Sequence, residues 1–396
     1  MLGVALFVVV LGAPDGAVGV VWPSLRATLD RPVGDLGLLP LIATAPYLVG
    51  SSTAGPAGRR FDAGHHIAAA AVVGALGIAA WAAAPAWWIV LAAFAMQGWA
   101  CGSLDAALNA QVAAEHGIAR LGLLHATYGV GATGGPVLAT AVLVLGGSWR
   151  IPVGVMAVLA AAAATTAVLL RNTWPAVHAA PSPRHDDHDH DDHAHDERRT
   201  GTLFDPIVLT TLALFFVYVA LEGSIAVWAF TFLTRVRDMG DGAAGTWTAV
   251  YWGALTAGRF VLAAVGNRLD PNRLLGAATA VAAVGTLVFW ADVGGTGVVG
   301  LPIVGLALAP IFPVLIGVTP RRVGEDRSAT VIGWSVAAAA AGGPIGVALL
   351  GQVGQRNGFA HLAPAFVATA VAVAAVNAAA TRLARANANA GQPPPR

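Results

Sequence analysis

Almost the whole chain is a succession of apolar stretches, each long enough to cross a bilayer as a helix. About 20 such residues cover ~30 Å of hydrocarbon. The pattern predicts spans over 2–27, 36–57, 67–85, 87–112, 121–145 and 150–170. After a polar stretch it predicts six more, over 205–233, 244–265, 273–291, 297–318, 328–352 and 360–382. Only 11% of the residues are charged, where a water-soluble domain carries about 25%. An all-α, multi-pass protein of twelve transmembrane helices is therefore expected, with the lipid bilayer as its solvent.

A formal net charge of +1 offers no basic surface for nucleic acid. The single cysteine, Cys101, excludes an internal disulfide and a cysteine metal cluster. The run from Met1 carries Asp15 and lacks a cleavage site, so it reads as the first span and not as a removable leader. An even number of spans puts both termini on one side, and arginine placement chooses that side. With the termini inside, Arg59, Arg60, Arg120, Arg171, Arg268, Arg273, Arg321 and Arg322 fall on inner turns. The outer turns hold Arg26, Arg31, Arg150, Arg235, Arg237 and Arg356, while the polar stretch and tail add further inner arginines. Both termini are expected in the cytoplasm. The abundance of Ala, Gly and Arg fits a GC-rich bacterial genome, and so a bacterial plasma membrane.

The two halves echo each other at a nearly constant shift. Gly50 and Gly258, Gly58 and Gly266, Arg60 and Arg268, and Asp62 and Asp270 are each 208 positions apart (258 − 50 = 208), as are Gly134-Gly135-Pro136 and Gly342-Gly343-Pro344. A common register over separate regions implies a duplicated six-span unit with parallel topology, in which the substrate site lies between the copies near mid-membrane. The expected organisation is a first half over 1–171, a linker over 172–204, a second half over 205–384 and a tail over 385–396.

A carboxylate at the centre of a span costs about 2.5–3.5 kcal/mol on the insertion scale. Three are placed there, Asp15, Asp105 and Glu222, and Arg259 lies within the eighth span. In the fourth span Gln97, Cys101, Asp105 and Asn109 recur every fourth residue and form one polar stripe. Asp15, Gly19 and Trp22 share a face of the first span, and His125 and Tyr128 share one on the fifth. Such stripes are expected to converge on an interior cavity, where Trp22 or Trp228 beside carboxylates suits a polyhydroxylated ligand. The plainer readings are an ion pair or structural hydrogen bond for each acid, a buried counter-ion role for Arg259, and simple packing for His125, Trp22 and Trp228. A carboxylate in a narrow, partly dry cavity resists ionisation, so Asp15, Asp105 and Glu222 are candidate proton-coupling groups. Asp15, Trp22, Gln97, Asp105, Asn109, His125, Tyr128, Glu222 and Trp228 are candidate substrate contacts.

On these residues the chain resembles the major facilitator superfamily, and within it the fucose–galactose–glucose proton symporters. The turns Gly58-Arg-Arg-Phe-Asp62 and Gly266-Asn-Arg-Leu-Asp270 are similar to the superfamily's cytoplasmic gating motif with its spacing altered, which implies a gating role for Arg60, Asp62, Arg268 and Asp270. Asp15-Gly16 with Trp22-Pro23 resembles the family's first helix, Asp105 with Asn109 its fourth, His125 through Tyr128 to Gly135-Pro136 its fifth, and Ala309-Pro310 through Pro313 its tenth. The resemblance implies coupling roles for Asp15 and Asp105, ligand contact at Asn109, a monomer, and a sugar or similar small polar metabolite carried with protons.

The 172–204 stretch contains His185, His188, His190, His193 and His195 among aspartates. Alternating imidazole and carboxylate suits a divalent transition metal; a solvated spacer between rigid halves is the plainer reading. Within the spans no paired His or Cys offers a metal site, and no cofactor is expected. No nucleophile–base arrangement or phosphate loop points to an enzyme. Three readings stay open: a proton-coupled importer, a proton-coupled exporter of drugs or metabolites, and a non-transporting membrane sensor of the same fold.

Overall fold

The computed structural model describes residues 2–173 and 205–390, with side chains throughout except at 55–61, 113–123, 125, 267, 325, 326, 329 and 387–390. Among the described residues twelve helices are long and apolar enough to cross a membrane. The first half comprises α1 (Leu2–Thr28), α2 (Val33–Ala54), α3 (Ala63–Ala83), α4 (Trp87–Val112), α5 (Ala126–Val144) and α6 (Arg150–Leu169). The second comprises α7 (Pro206–Val236), α8 (Asp241–Val265), α9 (Pro271–Ala291), α10 (Gly297–Val323), α11 (Thr330–Asn357) and α12 (Phe359–Ala386). Each predicted span is matched by one membrane-crossing stretch, the ends displaced by a few residues.

The differences have local causes. Helical backbone is continuous from Trp87 to Val144, so the turn expected between the fourth and fifth spans is itself helical, in keeping with its Ala, Leu, Glu and Arg content. α10 is interrupted between Leu308 and Ile311, where Pro310 has no N–H to continue the ladder. α1 contains a π-helical turn over Phe7–Gly12. α7 begins at Asp205, whose carboxylate accepts the Ile207 N–H at 3.1 Å while Pro206 fills the first helical position.

Close packing comes from small residues, as it must where lipid removes any hydrophobic drive between helices. Gly102 of α4 lies on the backbone of α2 at Tyr47, and Gly16 of α1 on the backbone of α5 at Ala132. The sequence repeat is repeated in these contacts. Gly50 brings α2 against α4 at Trp99 and Ser103, and Gly258 brings α8 against α10 at Leu306 and Ala309. Gly135 meets Ala13 of α1, and Gly342 meets Phe216 of α7, so the Gly-Gly-Pro triplet marks where the fifth helix of each half approaches the first.

The halves join along α5 and α8, where Gly129 meets Thr256 and Gly245 meets Thr140, and along α1 and α7, where Gly19 meets Val227. The Val33–Gly37 turn that opens α2 meets α11: the Gly34 N–H donates to Gln355 Oε1 at 2.9 Å, and Gly37 lies against Ala348. These contacts run from mid-span to the side bearing the Val33–Gly37 turn. Asp15, one turn before Gly19, remains exposed.

Candidate functional site

Three carboxylates lie within the spans, each held by a phenol. Asp15 on α1 accepts the Tyr128 hydroxyl of α5 at 2.9 Å. Asp105 on α4 accepts the Tyr47 hydroxyl of α2 at 2.7 Å and the Asn109 amide, one turn along its own helix, at 2.8 Å. Glu222 on α7 accepts the Tyr218 hydroxyl and pairs with Arg259 of α8 at 3.4 Å, while Tyr251 donates to the Glu222 backbone carbonyl at 3.0 Å. The chain has four tyrosines, so every phenol in it bonds to one of these three acidic residues.

The charges are unequally shared. Glu222 has a guanidinium; among the described side chains Asp15 and Asp105 have no basic group within ion-pair distance. A carboxyl group with a hydrogen-bond donor and no counter-ion is the arrangement in which a proton is the cheapest neutraliser. The two halves touch at this level: the Tyr128 ring meets Trp252 of α8 edge-on at 6.2 Å, and Thr133 Oγ1 lies 3.5 Å from Thr256 Oγ1. Trp252 and Arg259 are seven residues apart and share a helix face. Tyr128 thus bonds an acid of one half while packing on the helix that carries the cation of the other.

Several expected contacts lie elsewhere. Trp22 is 1% exposed and donates to the Val33 carbonyl at 3.0 Å; Trp228 is 0% exposed and donates to the Val347 carbonyl at 2.9 Å. Both indoles are packed between helices and bonded to backbone carbonyls. The Gln97 amide is turned to the Val10 carbonyl of α1, away from the acids. Asn109 serves Asp105 directly. The side chain of His125 lies outside the described residues, as do those of Arg60 and the linker histidines His185, His188, His190, His193 and His195.

The gating candidates that are described make local contacts. Asp62 takes a positive φ of 71° between α2 and α3, with His65 at 4.0 Å. Asp270 caps α9 by accepting the Arg273 N–H at 2.8 Å, and Arg268 ends a short turn ahead of it, exposed. No group of three His, Cys, Asp or Glu that would hold a metal occurs among the described residues.

Sequence reasoning missed Tyr47, Tyr218 and Tyr251 and left Arg259 without a named partner. Their scarcity was the available signal, because a buried phenol needs an acceptor. Arg259→Gln is expected to leave Glu222 with no cation and to cost roughly 2–4 kcal/mol, discounted from a fully buried pair because the two side chains are 20% and 15% exposed. Adding Glu222→Gln should recover most of the lost melting temperature in detergent. A double variant no more stable than Arg259→Gln alone would show that the pair is not the reason.

The comparisons with known proteins agree with this architecture. The Major Facilitator Superfamily profile matches residues 4–347. The solved structure of a variant of the E. coli fucose:proton symporter FucP is 19% identical, with 95% of this chain and 97% of that one aligned at a TM-score of 0.62. A D-xylose-proton symporter is 13% identical over 95% and 96%, with a TM-score of 0.69. A variant of the nucleoside transporter NupG is 12% identical over 96% and 98%, with a TM-score of 0.74. No curated protein sequence matches. With twelve membrane-crossing helices among the described residues, a sequence repeat relating the two halves and a family profile covering most of its length, the chain belongs to the Major Facilitator Superfamily.

Proposed function

We propose that this protein is a secondary transporter that imports a sugar or similar small polar metabolite together with protons, by alternating access. The observation that carries the reading is the pair Asp15 and Asp105: each lies within a span, hydrogen-bonded to a phenol and, among the described side chains, without a counter-ion. A proton taken from one side neutralises such a group and lowers the cost of closing the cavity around it; release on the other side completes the exchange. The symporter names of similar folds support the choice of a neutral polar cargo. Arginine placement supports cytoplasmic termini. The site is built within one chain, in keeping with a monomer. In this reading the halves 1–171 and 205–384 are the moving bodies, and the 172–204 linker lies in the cytoplasm.

The test is uptake into proteoliposomes of hexoses, deoxyhexoses, pentoses and nucleosides, with and without an imposed inward proton gradient. Accumulation of one compound that collapses with a protonophore is the expected result. No accumulation across the panel, with gradient-driven extrusion of drugs or dyes instead, would replace import by export.

A further inference from the structure

Asp15 follows the π-helical turn Phe7–Gly12 by three residues, and Pro14 lies between them. In an α-helix the carbonyl of residue 10 accepts the N–H of residue 14. Position 14 is proline, which has no N–H and whose ring presses on that carbonyl. The Val10 carbonyl must therefore find a donor outside its own helix, since an unsatisfied backbone group inside a bilayer is costly. It finds two on α4: the Gln97 amide donates to it, and the Cys101 Sγ lies 3.9 Å away.

The turn is braced on its other side as well. A side chain at Gly131 of α5 would fall on the Val8 carbonyl, whose oxygen already accepts the Ala13 N–H one residue further along than an α-helix would allow. A π-turn inserts one extra residue and rotates everything beyond it about the helix axis. Asp15 is the first ionisable residue beyond, and in that rotation its carboxylate meets Tyr128.

We propose that Gln97 is a positioning residue for Asp15: its amide replaces the N–H that Pro14 withholds from Val10, and so fixes the turn that aims the Asp15 carboxylate at Tyr128. Gln97 itself touches no acid. The consequence for transport rests on the proposed coupling role of Asp15; the positioning does not. The titratable groups that face Asp15 are Tyr128 from α5, Cys101 from α4 and Tyr47 from α2, and Arg259 and Glu222 stand near Tyr128 in turn.

The experiment is labelling of the purified full-length protein with a hydrophobic carbodiimide, which reacts with protonated carboxyls, followed site by site by mass spectrometry. In Gln97→Leu, Asp15 is expected to leave Tyr128, lose a bond that favours the ionised form, and label about tenfold faster at neutral pH, the equivalent of one unit in midpoint. Asp105 labelling should not change. In Pro14→Ala the helix supplies its own donor to Val10, so adding Gln97→Leu there should change neither labelling nor melting temperature further. A lower melting temperature in Gln97→Leu with unchanged Asp15 labelling, or additive effects in the double variant, would overturn the proposal. Should Gln97→Leu fail to fold, the double variant is still expected to fold, and its failure overturns the proposal too. If labelling behaves as expected while no compound is accumulated by the wild type, the positioning stands and the transport reading fails.

Discussion

Asp105→Asn is expected to abolish accumulation against a gradient while leaving exchange of labelled for unlabelled substrate intact. The carboxamide has the shape of a protonated carboxyl and keeps an oxygen for the Tyr47 hydroxyl, which now stands 2.7 Å from Asp105. It imitates the proton-loaded state permanently. A carrier locked in that state still reorients with cargo, so equilibrating exchange continues, but it moves no charge with it. One proton crossing 100 mV is worth about 2.3 kcal/mol, a concentration ratio of roughly 50. The ratio should fall from that order to unity, measured as steady-state uptake under an imposed potential beside counterflow in the same vesicles. Wild-type accumulation in the variant would remove Asp105 from the coupling mechanism.

The second large effect is structural. Gly102→Val is expected to cost roughly 3 kcal/mol or more, because the first added carbon would fall on the Tyr47 carbonyl group of α2. Backbone in a neighbouring helix cannot swing aside as a side chain can, so α2 and α4 must part. The same displacement carries the Tyr47 hydroxyl away from Asp105, and stability and proton coupling should be lost together. Gly134→Ala is the control: nothing lies within 4 Å of the position, and alanine is the better helix former, so its melting temperature should equal or exceed that of the wild type. Comparable losses in both variants would mean that glycine content, and not this crossing, matters.

The spans were legible because bilayer thickness imposes a length that soluble helices do not share, and α4 and α8 begin and end close to where apolar character does. The three acids were legible for the same reason, since each is an expense that a span carries only with cause. Their partners were not. Tyr47 is 58 residues from Asp105 and Tyr128 is 113 from Asp15, and only helix packing brings them together. The α4 stripe shows why one helix face does not imply one role. Gln97 and Cys101 reach the first helix's backbone, while Asp105 and Asn109, one and two turns on from Cys101, reach each other and α2. Trp22 and Trp228 were read as ligand contacts because an indole suits a sugar, but an indole N–H serves a backbone carbonyl equally well. The prolines at 14 and 310 were in plain view too. One accompanies a π-turn and the other a break in the helix.

The gathering of all four phenols on the acidic residues gives this protein a reporter that needs no engineering. Biosynthetic replacement of tyrosine by 3-fluorotyrosine would place every fluorine nucleus in the chain at the site and none in the remaining mass of the membrane-embedded scaffold. A one-dimensional fluorine spectrum would then hold four resonances, assignable by four Tyr→Phe variants, each reading the hydrogen-bond state of a known neighbour. Titrating acid or candidate cargo into such a sample would report occupancy at each carboxylate separately, in a protein otherwise silent at that frequency.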